Sequence, residues 1–308
     1  MDPFLMVLPL ALVMALGVVF GRIGLLTEDT VPKLNAILYW AALPALLFRS
    51  ILRVGGGIFS DPNLFWAVHV SFILIPGIAW LISSRFTRER RKIAVSVLVA
   101  VRANNVFMGI PAITIALGQP GLDALSLFFA VGLLGYNFIS ITWAQAALSG
   151  KVSLRSLGAT LINLLKNPLI LACLFGVSGA FMGYSELPWW IDSTLKIIGD
   201  TGSGIALIAL GASLKIHNPL RALKSTWRDI FFKLMIHPAL VWVTFLVWPV
   251  DPVLRDTVVL VSAMPAAINN FVLAQSMGMD SDHAGEIVAL STAFSIITLP
   301  IWIRILGV

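Results

Sequence analysis

The chain has 308 residues, of which 58% are hydrophobic and only 12% are charged, and its net charge is +6 at pH 7. Soluble domains carry about 25% charged residues, so this composition excludes an ordinary soluble protein and indicates a polytopic membrane protein. The basic residues lie in short loops between apolar segments, which makes membrane lipid an expected partner and argues against nucleic acid. The single cysteine, Cys173, lies in an apolar run and cannot form an intrachain disulfide.

The hydropathy pattern divides the chain into about ten apolar spans, because a helix that crosses a bilayer needs about 20 mostly apolar residues. No strand-like alternation competes with these runs, so the expected fold is all-α. Spans and short loops account for the whole chain and leave no room for a soluble domain. In chain order, the predicted spans are roughly residues 4–21, 33–52, 63–83, 93–117, 124–148, 167–183, 190–214, 229–249, 254–278 and 284–306.

Basic residues in alternate loops predict the orientation of the chain. The loops after the third, fifth and seventh spans are rich in Lys and Arg, whereas the loops on the other side carry few. By the positive-inside rule the basic loops are cytoplasmic, so both the N-terminus and the C-terminus are expected on the external side of the plasma membrane. The basic residues of these three loops are Arg85, Arg88, Arg90, Arg91, Lys92, Lys151, Arg155, Lys166, Lys215, Arg221, Lys224 and Arg228.

The span count predicts an internal repeat. With about five spans in each half, an odd number, the second half enters the membrane inverted relative to the first. We therefore divide the chain into a first five-helix repeat (residues 1–150), a short cytoplasmic linker (151–166) and a second, inverted repeat (167–308). Sequence identity between the halves is not visible, so the symmetry depends on the span count and on two broken spans at matching places.

The two broken spans are the fourth and the ninth, which contain Pro111 and Pro265 beside asparagine pairs. Proline interrupts a helix, and a break inside a bilayer must face protein or a water-filled cavity. Broken helices at matching positions in two halves indicate a transporter binding site. A single proline is more often a packing kink, so the prediction depends on the matched pair. The residues predicted to bind substrate are Asn104, Asn105, Gly109, Pro111, Met264, Pro265, Asn269 and Asn270.

The chemistry of these breaks favours an organic anion as the bound molecule. Half-helix N-termini that meet at mid-membrane carry partial positive charge and free N–H groups, which suit a carboxylate. The asparagines add hydrogen-bond donors and acceptors without a fixed charge.

Four further polar residues are candidates for ion coupling or for guiding an anion. Arg102 lies deep in the fourth span, where it either binds an anion, snorkels to the surface or pairs with an acid. Asp200 is the most buried-looking acid, which suggests proton or cation coupling or, alternatively, a structural pair with Arg102. His69 and Gln145 could line a cavity, although such residues are more often helix–helix contacts.

Motifs for catalysis and for cofactor binding are absent from the sequence. It contains no GxxxxGK[ST] loop, no cluster of His, Cys, Asp and Glu with metal-ligand spacing, and no nucleophile–base or paired-carboxylate arrangement. We therefore expect no enzyme activity, no cofactor and no metal.

At these motifs the chain resembles the auxin efflux carrier family, which includes plant auxin exporters and bacterial carriers associated with malonate and malate. The most specific segment is NNVFMGIP, residues 104–111, which is similar to the family's N-x-x-x-M-G-I-P crossover. The resemblance covers nearly the full chain. Its other segments are LNAILYWAALPALLF in the second span, IALIALGASL in the seventh, SAMPAAINNFVLA in the ninth and STAFSIITLPIW in the tenth.

The resemblance implies a homodimer that moves a small organic anion by elevator-like alternating access. Spans 1, 2, 6 and 7 would form a scaffold, and spans 3–5 and 8–10 a mobile transport domain. Pro111 and Pro265 would be the crossover prolines, and Asn104 the crossover asparagine of the substrate pocket. The short central linker resembles bacterial members, which implies the inner membrane. Asn269 and Asn270 replace the apolar residue and proline of auxin exporters, which favours a smaller carboxylate than auxin.

Three alternatives to a carboxylate transporter remain open at this point. A sodium- or proton-coupled carrier of another solute could use the same broken-helix plan, as in bile-acid and sodium–proton carriers, although those carry more acids at the crossover. An intramembrane enzyme would need a catalytic constellation that is not seen here. A substrate-sensing membrane protein would bind its ligand without flux.

Overall fold

A computed structural model describes residues 2–27, 29–54, 61–150, 165–184, 186–214 and 219–308, together with positions 158 and 162. These residues are predominantly helical, and the strand-like pairing among them is limited to an isolated bridge between Ala103 and Ala266. The expectation of an all-helical fold is therefore confirmed. Most of the predicted linker, residues 151–166, lies outside the described part of the chain.

The helices are labelled here in chain order. They are α1 (Pro3–Arg22), α2 (Thr30–Arg53), α3 (Pro62–Ser83), α4 (Arg90–Val101), α5 (Gly109–Ser149), α6 (Pro168–Phe181), α7 (Trp189–Ser213), α8 (Pro219–Val247), α9 (Pro252–Ser262), α10 (Asn269–Ser276) and α11 (Ser281–Leu306). Short π-helical turns interrupt α2 at Leu38–Ala42 and α8 at Phe232–Ile236.

Helices α1, α3, α6 and α9 begin with the same local signal, an Asp or Asn followed by proline. The acidic or amide side chain accepts a hydrogen bond from a backbone N–H of the first turn, which caps the helix. The proline needs no partner for an N–H and has a φ that suits the first turn. The four dipeptides are Asp2–Pro3, Asp61–Pro62, Asn167–Pro168 and Asp251–Pro252.

Seven helices of the described chain, α1, α2, α3, α5, α7, α8 and α11, are long and apolar enough to cross a membrane. This finding confirms a multi-pass membrane protein. Helix α6 is apolar but has only 14 residues, and α4, α9 and α10 have 12, 11 and 8 residues. The short helices α4, α9 and α10 belong to the predicted broken spans.

The predicted boundary between the fourth and fifth spans coincides with a kink inside α5 at Gly118, whose φ of 63° is left-handed, so α5 comprises two helical segments that meet there. One predicted boundary is wrong. Helix α8 begins at Pro219 and not near residue 229. Its first ten residues include Arg221, Lys224 and Arg228, so hydropathy alone assigned them to a loop.

The helices pack as two sets. The first helix set contains α1, α2, α6 and α7, and the second helix set contains α3, α4, α5, α8, α9, α10 and α11. In the first set, Gly17 on α1 and Gly211 on α7 let the two backbones approach so closely that a Cβ on either would collide with a carbonyl oxygen of the facing helix. A two-point ion pair between Arg49 and Asp192, with distances of 2.5 and 2.9 Å, joins α2 to α7.

The core of the second helix set is formed by the two short helices that precede the breaks. All residues of α4 from 93 to 101 are buried, and so are the residues of α9 from 256 to 262. A helix that is buried on every side has no lipid-facing side, so both helices are enclosed by the longer helices around them. This enclosure places the ends of α4 and α9 deep inside the protein.

Candidate functional site

The first break separates α4 from α5 and comprises residues 102–108. The carbonyl oxygen of Asn104 accepts the N–H of Gly109 at 2.9 Å, which closes the turn into α5. A Cβ at Gly109 would lie 2.7 Å from Val261 of α9, so glycine allows the two halves to approach here. Pro111 lies in the first turn of α5, after the break, where its missing N–H leaves no hydrogen bond unmade.

The second break separates α9 from α10 and comprises residues 263–268, with Pro265 inside it. The two breaks cross and pair through their backbones. The N–H of Asn104 donates to the carbonyl of Pro265 at 2.7 Å, and the N–H of Ala267 donates to the carbonyl of Arg102 at 3.0 Å. These bonds satisfy backbone groups that have lost their helical partners in a low-dielectric setting.

A cavity of about 690 Å³ lies beside the crossing, between the two helix sets. Its volume is within the usual range for small-molecule sites. The second helix set contributes most of the polar wall, and α2 and the start of α6 contribute the opposite wall. The polar residues that line it are Asn35, Tyr39, Arg102, Asn104, Asn105, Tyr136, Asn137, Gln145, Asn167, Asn269 and Ser276.

Arg102 is the most unusual of these residues. It is only 5% exposed, and of the described residues that line the cavity it alone carries a formal charge. Its Nε donates to Oδ1 of Asn270 at 3.0 Å, and its Nη1 donates to Oδ1 of Asn137 and to Oγ of Ser140, each at 3.0 Å. Its guanidinium lies 5.0 Å from the ring centre of Tyr136. These partners are neutral, and no ion pair in the described chain involves Arg102.

Two asparagines of the first break have unpaired side-chain atoms. Nδ2 of Asn104 and Oδ1 of Asn105 are buried and make no hydrogen bond within the described residues. An unpaired buried polar atom costs about 1–3 kcal/mol, so such atoms in a native protein normally await water or a ligand. One unpaired donor and one unpaired acceptor thus belong to residues that line the same cavity as Arg102.

The structure divides the eight residues predicted to bind substrate into two groups. Asn104, Asn105 and Asn269 line the cavity, and Asn269 is exposed to it. The others are buried behind the wall and do not line it. The side chain of Asn270 accepts a hydrogen bond from Nε of Arg102 and donates one to the backbone carbonyl of Arg102. The other four residues are part of the crossing itself or lie directly after it: Gly109, Pro111, Met264 and Pro265.

The four coupling candidates also separate. Arg102 and Gln145 line the cavity. His69 does not line it: its ring stacks on Phe65 at 4.1 Å between centroids, and its Nδ1 lies 2.8 Å from the Phe65 carbonyl.

The expectation that Asp200 is buried or paired with Arg102 is wrong. Its side chain is 62% exposed on the outer face of α7 and pairs with Lys196 at 2.6 Å. The buried face of α7 is the one that carries Gly199, Gly202 and Ala206, and Asp200 lies outside it.

Two features were missed at the level of the sequence: Ser140, a partner of Arg102, and a second buried polar cluster. Ser140 lies one turn after Asn137, a spacing that could have shown both to be partners of one group. Lys233 and His237, four residues apart inside an apolar run, are both fully enclosed in α8. Two basic residues at helical spacing within an apolar span were a signal available from the sequence.

An all-helical chain with several membrane spans, crossed helix breaks and a polar cavity at the crossing belongs to the class of membrane transporters, not of enzymes. Comparison with known families supports this class. The chain belongs to the family described as "Membrane transport protein", the auxin efflux carrier family, which matches residues 4–303.

Relatives of similar length carry transporter names. The chain is 26% identical over 311 residues to the "Uncharacterized transporter YfdV" of Escherichia coli K12, covering 97% of this chain and 96% of that protein. It is 25% identical over 304 residues to the "Putative malonate transporter" of Rhizobium meliloti, covering 96% and 92%. It is 25% identical over 317 residues to the "Uncharacterized transporter MJ1031" of Methanocaldococcus jannaschii, covering 98% and 97%.

Proposed function

We propose that the protein is a secondary active or facilitative transporter of a small organic carboxylate. The observation that carries this proposal is the uncompensated charge of Arg102 at the wall of the cavity. A buried cation without an acidic partner is costly, whereas a carboxylate in the cavity would supply the missing charge and accept bonds from the guanidinium. The name of the Rhizobium relative is consistent with this class of substrate.

The unpaired atoms of Asn104 and Asn105 support the same class of substrate. Nδ2 of Asn104 is a donor and would complete its hydrogen bonding on a carboxylate oxygen. Oδ1 of Asn105 is an acceptor and would take a hydroxyl or a water molecule that accompanies the substrate. The substrate is therefore expected to hold its carboxylate towards Arg102 and Asn104.

The position of the cavity supports elevator-like alternating access. The cavity lies between the first helix set, our proposed scaffold, and the second helix set, our proposed transport domain. Sliding of the second set along the first would carry the crossing and its bound anion across the membrane. We further propose the fold of ten transmembrane helices in two inverted repeats, a homodimer formed through the scaffold, and a bacterial inner-membrane location with both termini external.

Two other functions share this geometry, and flux separates them from the proposal. A sodium- or proton-coupled carrier of another solute would show ion-dependent flux without carboxylate binding. A sensing protein would bind a carboxylate without moving it.

The test combines uptake and currents in proteoliposomes of the purified protein. Radiolabelled malonate uptake would be measured beside solid-supported-membrane currents for malonate, malate and indole-3-acetate. Arg102→Gln is the diagnostic variant, and Lys224→Met, which removes an exposed lysine from α8, is the matched control.

We expect carboxylate-specific uptake in the wild type and in Lys224→Met, with a loss of at least tenfold in Arg102→Gln. Equal uptake by Arg102→Gln would overturn the assignment of the site. An absence of binding and flux for every carboxylate would overturn the substrate class, and binding without flux would indicate a sensor.

A further inference from the structure

A second buried basic cluster lies in the second helix set, outside the cavity wall. Lys233 and His237 are 0% and 2% exposed, at the π-helical turn of α8 and directly after it. Nζ of Lys233 lies 2.6 Å from Nδ1 of His237, and both nitrogens contact the carbonyl oxygen of Ser262, at 3.2 and 3.0 Å. Neither side chain lines the cavity.

The cluster has no acidic partner within the described residues. Helices α3, α4, α9 and α11 pack against this part of α8. Several acidic side chains on these elements and at the start of α8 have partners of their own. Asp229 pairs with His283 and Asp256 with Arg255, while Glu286 accepts from Ser225. The basic and imidazole groups with printed contacts are His69 on the Phe65 carbonyl, Arg91 on the carbonyls of Gly278 and Met279, Lys92 on Glu89, Arg228 over Phe86, and Arg102 on Asn270. The remaining charged groups lie near the ends of their helices; they are Arg90, Arg221, Lys224, Asp282 and Arg304.

The short N···N distance limits the number of protons that the cluster can hold. A contact of 2.6 Å between two nitrogens requires that one donates and the other accepts. An ammonium on Lys233 therefore needs an unprotonated Nδ1 on His237, and a protonated Nδ1 needs a neutral amine on Lys233. The pair is either neutral or carries a single positive charge, so it exchanges one proton.

The carbonyl at the centre of the cluster belongs to the last residue of α9. The C-terminal end of a helix carries partial negative charge and stabilises a cation. In transporters with broken helices, such half-helix ends hold the coupling ion. Three residues further along, Pro265 accepts the N–H of Asn104, whose side chain reaches the cavity. The proton of the cluster thus lies one short, hydrogen-bonded segment away from the proposed anion site.

We propose that Lys233 and His237 form the proton-binding site that couples the anion to one proton per transport cycle. This inference rests on the proposed carboxylate transport. The proton enters the pair from the side on which the anion binds and leaves on the other side, and no covalent bond changes. Because Arg102 keeps its charge throughout, a monocarboxylate moves without net charge, whereas a dicarboxylate such as malonate moves one net negative charge.

The first test follows protons and malonate together. Proteoliposomes with a trapped pH-sensitive dye would receive a gradient of radiolabelled malonate, with wild type, Lys233→Met, His237→Gln and the exposed control Lys224→Met. Methionine matches the buried length of lysine without a charge, and replacing a buried charge by an apolar side chain commonly preserves folding.

We expect malonate-driven proton movement in the wild type and in Lys224→Met, and a loss of at least tenfold in Lys233→Met while malonate binding persists. The apparent malonate affinity of the wild type should change by about tenfold per pH unit on the alkaline side, as for one linked proton, and this dependence should vanish in Lys233→Met. Proton movement that is unchanged in Lys233→Met and His237→Gln would overturn the inference.

A second measurement needs no substrate. In solid-state NMR of ¹⁵N-lysine-labelled protein in liposomes, the Nζ signal of Lys233 is assigned as the one that the Lys233→Met variant lacks. This signal would then be followed from about pH 5 to about pH 9. A change from ammonium to amine supports the proton site, and a signal that stays ammonium throughout overturns it. Titration of Lys233 without any malonate binding or flux would leave the proton site standing and overturn the carboxylate proposal instead.

Discussion

The two buried cations of the second helix set, Arg102 and Lys233, differ in what surrounds them. Arg102 is held by amide and hydroxyl oxygens and adjoins a cavity of about 690 Å³ with unpaired amide atoms nearby. Lys233 is closed off from that cavity and shares one carbonyl with an imidazole. An arginine keeps its proton in every protein environment, whereas a buried lysine can lose it.

Burial of a cation therefore does not by itself define its function. The guanidinium of Arg102 is permanently charged, so its surroundings suit the binding and release of an anionic ligand. The amine of Lys233 contacts a second base, His237, so its surroundings suit the binding and release of a proton. Substitutions at these residues and around the cavity test this contrast.

Arg102→Gln should weaken carboxylate affinity by about 100-fold, because a charge-assisted hydrogen bond contributes about 1.5–3 kcal/mol. Arg102→Lys should weaken it by only about tenfold, since the charge remains and the planar fork is lost. Calorimetric titration with malonate measures both. Equal losses for the two variants would show that geometry and not charge matters at this site.

Pro265→Ala should slow transport by about tenfold, whereas Pro111→Ala should have less than about twofold effect. Pro265 lies inside the second break and helps to keep the segment between the two cations non-helical, so alanine would allow helix to extend there. Pro111 lies in the first turn of α5, where alanine is equally acceptable. Initial rates of malonate uptake compare the two variants, and similar rates would remove the distinction.

Asn104→Ala should weaken malonate binding by about fivefold and leave the protein folded. The variant removes one neutral donor, and such a bond is worth about 1 kcal/mol. The backbone N–H of residue 104 still reaches Pro265, so the crossing remains intact. Binding and thermal stability would be measured together; unchanged affinity would move the substrate away from the first break.

Asp200→Asn should leave transport and its pH dependence unchanged. Its carboxylate pairs with Lys196 on the outer face of α7 and does not line the cavity, and asparagine can still accept a hydrogen bond from the Lys196 ammonium. Uptake measured across pH provides the test. A loss of pH dependence in this variant would transfer the coupling role from the Lys233 pair to Asp200.

The helical character of the chain and the two breaks were accessible from the sequence, because proline and asparagine inside apolar spans conflict with a continuous membrane helix. The exact start of the first break was not. It begins at Arg102, nine residues before Pro111, because the partners of its backbone are supplied by residues 265–267 of the other half. Such long-range pairing leaves no local signal.

The candidate site was predicted only in part for a similar reason. Of the asparagines predicted to bind substrate, Asn104, Asn105 and Asn269 line the cavity, whereas Asn270 faces the protein interior and hydrogen-bonds Arg102. A pair of adjacent asparagines cannot both point the same way on a helix, and the sequence alone does not show which one faces the cavity. Asp200 illustrates the same limit, since the burial of a helix face depends on neighbours that are distant along the chain.

The crossing of the two breaks is held by backbone hydrogen bonds, from Asn104 to Pro265 and from Ala267 to Arg102. Bonds between main-chain atoms do not depend on side-chain identity, so the side chains at positions 104, 105 and 269 are free to change without opening the crossing. Under the proposed function, the same framework would acquire new substrates through a few substitutions at the cavity wall. These three positions would then be the natural starting point for redesigning the protein towards a chosen anion.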